Sequence, residues 1–222
     1  MTFGIVPVKD LSKAKDRLSS VLPQKHRTTL AYAMLEDVLT ALKSSKLLDR
    51  IFIVTMDSHA IEIAKSMEIE IILETEQNGE SSSVDFAAEK CKEMGADSIL
   101  VIPGDTPLIR SDDIDFILEK EAKLSSPVVI MVPARDEMGT NAILRKPPDI
   151  IASRFGQDSY KKHINEAKMK NVPCKTYKNP RIALDIDQPE DLEEFVNQKS
   201  DSKTFKELIN LGIIKPHTTT TT

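Results

Sequence analysis

The sequence predicts a single α/β domain with a mainly parallel, doubly wound β-sheet and helices on both of its faces. Seven short apolar runs, rich in β-branched residues, recur along the 222-residue chain, and helical patterns separate most of them. The runs are apolar along their length, which is typical of parallel strands covered on both faces. No linker rich in glycine or serine divides the chain, so we expect one domain over residues 1–212.

Strands are predicted at FGIVPV, RIFIVT, IEIIL, SILVIP, PVVIMVP, NAILR and NVPCKTY. The long helix HRTTLAYAMLEDVLTALKSS places a stripe of apolar side chains at a spacing of four residues, formed by Leu30, Met34, Val38 and Leu42. Shorter helices are predicted at SHAIEIAKSM, SSSVDFAAEKCKEM and SDDIDFILEKEAKL, the last with Ser111 as its N-cap. After Val132 the pattern loosens into a small irregular region that contains the helix FGQDSYKKHINEAKMK. QPEDL begins one further helix, with Pro189 in its first turn.

Composition and charge disfavour several classes of protein. The chain is 40% hydrophobic and 29% charged with a formal net charge of −5, an ordinary globular balance that does not suit a nucleic-acid-binding protein. No apolar run approaches the ~20 residues of a membrane span, and the N-terminal residues lack the apolar region of a signal peptide. Cys91 and Cys174 form no disulfide framework or metal motif, so reduced thiols in the cytoplasm are expected. The low-complexity end KPHTTTTT predicts that residues 213–222 are a disordered tail or a tag remnant.

Ligands in such sheets bind beyond the carboxyl ends of the strands, so the segments that follow the strands are the candidate sites. The first, PVKDLSKAKDRL, carries four cations within nine residues, at Lys9, Lys13, Lys15 and Arg17. A cationic loop at this position could clamp phosphates, and it could equally be a solvated basic loop. The glycines of a Walker A loop are absent from it.

Acidic residues follow two of the later apolar runs. Asp105 ends the fourth run in PGDTP, where Gly104 permits a sharp turn and the close approach of a ligand. Asp185 and Asp187 lie two residues apart in RIALDIDQPEDL, so on a strand both would face the same side. Like charges on one face repel, and a cation between them relieves the repulsion. The three carboxylates predict a site for one or two Mg²⁺ ions beside a triphosphate, although Asp105 alone could simply cap its own turn.

The irregular region offers small hydrogen-bond donors. DEMGTNAIL contains Thr140 and Asn141, and RFGQDSYKKH contains Gly156, Ser159 and His163. Small donors beside the start of a helix suit a phosphate or a carboxylate, but turn and N-cap roles explain the same residues. The histidines lack the spacing of zinc ligands, and no nucleophile elbow is present.

The chain resembles the 2-phospho-L-lactate guanylyltransferases of coenzyme F420 biosynthesis in six segments, VPVKDLSKAKDRL, HRTTLAYAMLEDVL, PGDTPL, GTNAIL, FGQDSYKKH and LDIDQPEDL. They occur in the family's order and span Val6 to Leu192. The resemblance implies a Rossmann-like nucleotidyltransferase fold in one domain, with Mg²⁺ as the cofactor. It also implies a reaction that joins the GMP part of GTP to the phosphate of 2-phospho-L-lactate. The products would be lactyl diphosphoguanosine and pyrophosphate.

The same resemblance implies roles for individual residues. It places the metal on Asp105, Asp185 and Asp187, and it places catalysis on Asp105, Lys15 and Arg17. The phosphorylated acceptor would contact Thr140, Gly156 and Ser159. The nucleotide would contact a set of residues from the first loop, the start of the third helix and the end of the fourth strand, namely Pro7, Val8, Lys9, Lys15, Gly79, Glu80, Ser81, Ser82, Gly104 and Asp105. The segment QNGESSSVDFA departs from the family's Gly-Leu-Asn loop at Glu80 and Ser81.

Other functions remain open on the residues alone. A phosphoenolpyruvate guanylyltransferase would differ only in its acceptor, whereas a sugar-phosphate or molybdenum-cofactor nucleotidyltransferase would need a glycine-rich first loop that this chain lacks. A nucleotide-sensing domain is a non-enzymatic alternative, and it would not need all three acids. We expect a homodimer whose product passes to the transferase that builds the deazaflavin coenzyme.

Overall fold

The computed structural model describes residues 1–76 and 78–215 of the chain. Within these residues seven strands form one sheet in the order β3-β2-β1-β4-β6-β5-β7. The strands are β1 (Thr2–Val8), β2 (Arg50–Thr55), β3 (Glu70–Leu73), β4 (Ser98–Val101), β5 (Val128–Pro133), β6 (Thr140–Lys146) and β7 (Cys174–Thr176). Every predicted strand is confirmed, and β6 alone among the described strands runs antiparallel to its neighbours.

The helices of the described chain are α1 (Gln24–Lys43), α2 (Ser58–Ser66), α3 (Glu80–Glu93), α4 (Ser111–Glu121), α5 (Ser159–Met169), α6 (Pro180–Ala183), α7 (Pro189–Asn197) and α8 (Lys203–Asn210). The apolar stripe predicted for α1 is fully buried. The N-cap predicted for α4 is wrong, because Arg110 caps this helix and Ser111 is its first helical residue. The carboxylate of Asp113 accepts the Arg110 backbone N–H at 2.9 Å, which replaces the expected serine contact. The sequence patterns predicted neither α6 nor α8.

Helices cover both faces of the sheet, as predicted. Neighbouring residues of β1 point to opposite faces: Val6 packs in one apolar cluster with side chains of α1, α2 and α4. Ile5 packs in a second cluster with side chains of α3 and α5. A third cluster joins α1 to α7 and α8, and Ile213 and Ile214 pack against it. The rest of the predicted tail, residues 216–222, lies outside the described residues.

The direction of β6 decides which residues meet at one edge of the sheet. The carboxyl ends of β1, β2, β4 and β5 lie at the same edge, because these strands are parallel to one another. Since β6 runs the opposite way, its first residue, Thr140, lies at that edge as well. Residues from five strands can therefore contribute to one site. No described helix is long and apolar enough to cross a membrane.

Candidate active site

Three carboxylates meet at the carboxyl edge of the sheet. Asp105 follows β4, and Asp185 and Asp187 precede α7. One oxygen from each of the three lies within 4.8 Å of the others. Three oxygens at this separation, on partly buried side chains, are suited to a hard divalent cation. The predicted grouping of the acids is present.

The segment that carries Asp185 and Asp187 is not the predicted strand. It is an extended connection between α6 and α7, with side chains that alternate as in a strand. Leu184 and Ile186 are buried in the third apolar cluster, so both aspartates face the opposite side. A single backbone hydrogen bond, from Ile186 N to Asp105 O at 3.1 Å, joins the segment to the turn after β4. The expected common face was correct, although the segment forms no ladder with the sheet.

Lys15 lies among the acids. Its ammonium nitrogen is 2.7 Å from Asp105 Oδ2 and 2.5 Å from Asp187 Oδ1, and its side chain is only 9% exposed. Burial lowers the pKa of this ammonium, but the two carboxylates outweigh burial and raise it above its usual value. Lys15 is therefore a permanent cation inside the cluster. Arg17 is mostly exposed and lies 3.9 Å from Asp187 Oδ2.

The surroundings separate the acidities of the two neighbouring aspartates. Burial, together with the charge of Asp105, raises the pKa of Asp185 to about 6. Asn141 opposes this shift, because its Nδ2 donates to Asp185 Oδ1 at 2.9 Å. Burial also opposes ionisation of Asp187, but the Lys15 ammonium holds the pKa of that carboxyl below its usual range. In the absence of a metal, the cluster thus contains one carboxyl, that of Asp185, whose ionised form is disfavoured by its surroundings.

A cavity of about 350 Å³ lies on one side of the acids. Its lining comes from the end of β1, the basic loop, α1 and the turn after β4, and it includes Pro7, Val8, Lys9, Lys13, Lys15 and Gly104. The backbone of Gly104 passes close to α1, because a Cβ there would lie 3.2 Å from Leu35 Cδ1. Most of the residues predicted for the nucleotide therefore line one cavity.

The carboxylate of Asp57, after β2, anchors the basic loop. It accepts the Leu11 backbone N–H at 2.9 Å and the Tyr32 hydroxyl at 3.0 Å. Its other oxygen accepts the Ala60 N–H at 2.8 Å and so caps α2. Sequence patterns gave no signal for this role beyond an acid immediately before a helix.

The segment predicted for base recognition is divided between different contacts. Glu80 is partly buried, lies 3.4 Å from Lys9 and lines the cavity. Ser81 instead ties α3 to a distant loop, because its Oγ accepts the Phe155 N–H at 2.8 Å. Ser82 is exposed and donates to Asn78 O at 3.2 Å. Gly79 caps α3 with a φ of +96°, a conformation that favours glycine.

A second cavity of about 720 Å³ also borders the acids. Thr140, Gly156 and Ser159, the residues predicted for the acceptor, all line it. The two cavities share part of their lining, namely Glu80, Pro103, Asp105 and Asp187. A ligand in either cavity therefore reaches the same carboxylates.

Two cationic side chains, Arg17 and Arg135, line this larger cavity among the residues that the structure describes. Arg135 follows β5 and is held by two acids of α7, at 2.8 Å by Asp191 and in close contact by Glu194. Sequence reasoning missed Arg135, because a lone arginine in a predicted loop carries no recognisable spacing.

Comparison with known proteins assigns the family. A family model described as guanylyl transferase CofC like matches residues 2–222. The chain belongs to the CofC-like guanylyltransferase family. As a CofC-like protein it is an enzyme of nucleotidyl transfer that uses a GTP-type nucleotide and a phosphate-bearing substrate.

Relatives of this CofC-like chain carry two different acceptor names. A 2-phospho-L-lactate guanylyltransferase from Methanobrevibacter smithii is 31% identical over 211 residues, which cover 95% of this chain and 91% of the relative. A phosphoenolpyruvate guanylyltransferase from Conexibacter woesei is 34% identical over 192 residues, which cover 86% of either chain. A crystal structure from Desulfovibrio desulfuricans, described as a nucleotide-diphospho-sugar transferase, matches with a TM-score of 0.76 at 18% identity and covers 96% of this chain and 95% of that one. The last likeness concerns the fold alone.

Proposed function

We propose that the protein transfers GMP from GTP to the phosphate of 2-phospho-L-lactate and releases pyrophosphate, as a step of coenzyme F420 biosynthesis. The observation that carries this proposal is the meeting of two cavities at one cluster of three carboxylates. A nucleotidyl transfer needs two anionic substrates on opposite sides of a charge-neutralising centre, because the attacking and leaving oxygens lie in line.

The donor set of the cluster fits a divalent cation. Asp105, Asp185 and Asp187 offer three oxygens within 4.8 Å and no nitrogen or sulfur ligand, which favours Mg²⁺ over zinc. These residues would hold Mg²⁺, which supplies charge neutralisation at the α-phosphate when bound. A bound cation would favour the ionised form of Asp185, because an opposite charge nearby lowers the pKa of a carboxyl.

The smaller cavity suits the nucleotide. Lys9 and Lys15 in its lining provide positive charge for the triphosphate, and Arg17 adds positive charge from the adjoining larger cavity. Lys15 would also balance the charge of Asp105 and Asp187 while the phosphates enter. The attacking phosphate is already ionised, so the chain needs no general base and acts by orienting both reactants.

Base recognition is proposed at the start of α3. Glu80 could accept from the N1 and N2 donors of guanine, with Gly79, Ser81 and Ser82 forming the edge of the base site. A site that pairs with those donors rejects adenine strongly, because adenine leaves this partly buried acceptor without its partners.

The larger cavity suits the acceptor. Thr140, Gly156 and Ser159 offer hydrogen-bond donors for its anionic oxygens, and Arg135 in the same lining adds positive charge. Phosphoenolpyruvate carries the same phosphate and carboxylate as phospholactate, so these residues grip both. Apolar contacts that sense the shape around carbon two typically discriminate between two substrates by only ~1–3 kcal/mol, which is about 10- to 200-fold in kcat/KM. The second candidate is therefore a phosphoenolpyruvate guanylyltransferase, which the Conexibacter woesei relative favours.

We further propose that residues 1–212 act as one catalytic domain of a cytoplasmic homodimer. Its product would pass to the transferase that completes the deazaflavin precursor.

Pyrophosphate release tests the proposal. Purified protein with Mg²⁺ is assayed with GTP, ATP, CTP and UTP against 2-phospho-L-lactate, phosphoenolpyruvate and a sugar phosphate. We expect GTP with phospholactate to give the highest kcat/KM and phosphoenolpyruvate to be a weaker acceptor. A preference for phosphoenolpyruvate on the same preparation would replace the acceptor, equal use of ATP would contradict guanine recognition, and no release with any pair would leave a nucleotide-binding domain.

A further inference from the structure

A buried polar cluster forms part of the wall of the larger cavity. Thr140, Ser159 and His163 are 3%, 2% and 0% exposed. Thr140 Oγ1 lies 3.1 Å from His163 Nδ1, and Ser159 Oγ donates to Thr140 Oγ1 at 3.3 Å. Thr140 and Ser159 line the cavity, whereas His163 stands behind them on α5.

The backbone determines which nitrogen of His163 carries the proton. The Arg154 N–H donates to His163 Nε2 at 2.8 Å, so Nε2 must offer its lone pair. Burial, reinforced by the charge of Arg145, lowers the pKa of His163 to about 4, so the ring is neutral near pH 7. The single ring proton therefore sits on Nδ1. Nδ1 then faces Thr140 as a donor.

This arrangement determines the direction of the Thr140 hydroxyl. Its oxygen faces two donors, His163 Nδ1–H and Ser159 Oγ–H, and its own hydrogen cannot point at either of them. Thr140 lines the cavity, so that hydrogen is free to point into it. We propose that His163 is a positioning residue that fixes the Thr140 hydroxyl as a hydrogen-bond donor to an anionic oxygen of the acceptor. The proposal rests on the proposed function insofar as the anion is the phosphorylated acid.

The direction matters because ionised phosphate and carboxylate oxygens only accept hydrogen bonds. A threonine hydroxyl that donated to the imidazole would present lone pairs to the anion and repel it. The fixed direction also lowers the entropy lost on binding, because the hydroxyl is already oriented. His163 also packs edge-on against Phe155, with ring centroids 5.1 Å apart, so a purely structural role must be separated from this one.

Nitrogen NMR on the full-length protein tests the proton position without any assay of activity. With ¹⁵N-labelled histidine at pH 7, we expect His163 to give the signature of a neutral ring with its proton on Nδ1. The His163→Asn variant assigns the signal among the four histidines of the chain. A proton on Nε2, or a charged ring, would overturn the proposal whether or not the protein transfers GMP.

Kinetics test the consequence for the acceptor. Loss of a hydrogen bond to a charged oxygen predicts that Thr140→Val and His163→Leu each raise the acceptor KM about 10-fold or more, with kcat and the KM for GTP within about 2-fold. His163→Asn, which keeps an N–H donor, should recover part of the loss. If His163 acts through Thr140, the double variant is no worse than Thr140→Val. Additive effects, or equal increases of both KM values, would contradict the proposal.

Isopropyl phosphate, which lacks the carboxylate, identifies the oxygen that Thr140 meets. If the penalty of Thr140→Val persists with this acceptor, the phosphate is the partner, and if the penalty disappears, the carboxylate is the partner. Both results support a donor hydroxyl. The absence of a penalty with isopropyl phosphate and with phospholactate would refute it.

Discussion

The charge balance of the site depends on one side chain, Lys15. Three carboxylates this close to one another repel strongly, and the buried Lys15 ammonium contacts two of them. A buried ion pair contributes little net stability by itself, but removal of one partner leaves an uncompensated charge. Substitutions within this cluster should therefore affect catalysis and stability differently.

The first prediction concerns Asp105, which contributes to the carboxylate cluster and pairs with Lys15. We expect Asp105→Asn to lower kcat at least ~10²-fold, because it removes charge from the site where charge develops in the transition state. Asp187→Asn should act similarly, and Asp185→Asn less severely. Asp201→Asn is the control, since that side chain is 96% exposed and pairs only with Lys206 among the contacts described. Near-normal turnover of Asp105→Asn would remove the metal site from the mechanism.

The second prediction concerns stability without metal. The pKa of Asp185 is raised to about 6 in the folded chain, so its ionisation costs stability as the pH rises from about 4 to 6. Asp185→Asn abolishes that cost and keeps an oxygen that can accept from Asn141. Urea unfolding in EDTA should therefore show a gain on the order of 1–3 kcal/mol at pH 8 that vanishes near pH 4. Equal stability of the variant and the parent protein at pH 8 would contradict the stated electrostatics.

At the scale of elements, the loop between β1 and α1 brings the cations to the acids. The loop contains two short 3-10 turns, Leu11–Lys13 and Asp16–Leu18, and Lys15 adopts a positive φ of 58° between them. Asp57 anchors the first turn from the end of the neighbouring strand β2. The geometry of the smaller cavity thus depends on a residue outside its lining.

The third prediction separates the two roles of Asp57. Asp57→Asn can still cap α2 through its carbonyl oxygen, but its amide cannot accept from Leu11 N–H. We expect it to raise the KM for GTP about 3- to 10-fold with little change in the acceptor KM, as for one lost hydrogen bond. Asp57→Ala should show the same KM change and also lose about 1 kcal/mol of stability with the cap. An unchanged KM for GTP in Asp57→Asn would show that the loop keeps its conformation without the hydrogen bond from Leu11 N–H to Asp57.

Sequence patterns predicted the elements better than the connections between them. The seven strands and the stripe of α1 follow from apolar periodicity, which reports burial directly. The LDID segment imitates a strand because Leu184 and Ile186 are buried on one side, yet its neighbour is a turn and not a strand. His163 is buried and contacts Arg154 N–H and Thr140, partners that sequence spacing does not reveal. The acids could be grouped from sequence because their repulsion required a cation.

At the scale of the whole molecule, α3 connects the two cavities that border the acids. Asp85 accepts from Arg145 on β6 at 2.9 Å and from Ser153 N–H at 3.1 Å. One turn earlier on α3, Ser81 holds Phe155 N–H. The loop that contributes Phe155 and Gly156 to the larger cavity is thus attached to the helix whose first residue, Glu80, borders both cavities.

The fourth prediction concerns global stability in acid. The pKa of His163 is lowered to about 4 by burial and by Arg145, whereas Asp85 opposes the shift, so the unfolded chain binds a proton that the folded chain refuses. Stability should therefore fall by up to about 3 kcal/mol as the pH drops from about 6.5 to 4. Asp185 contributes to the pH dependence with the opposite sign, but it is present in both the parent protein and His163→Asn. The difference between the stabilities of these two proteins, measured against pH, therefore isolates the contribution of His163. A pH-independent difference would contradict a buried neutral imidazole.

Ligands that reach across the shared wall of the cavities should bind more tightly than either substrate. A guanosine joined to the three-carbon acid through a diphosphate would occupy both cavities and lie beside Asp105 and Asp187. Once one half is bound, the other half meets its cavity at a millimolar effective concentration, and the two affinities reinforce each other. A non-hydrolysable bisubstrate analogue is then the natural inhibitor of this enzyme. The same chelate effect would slow departure of the true product.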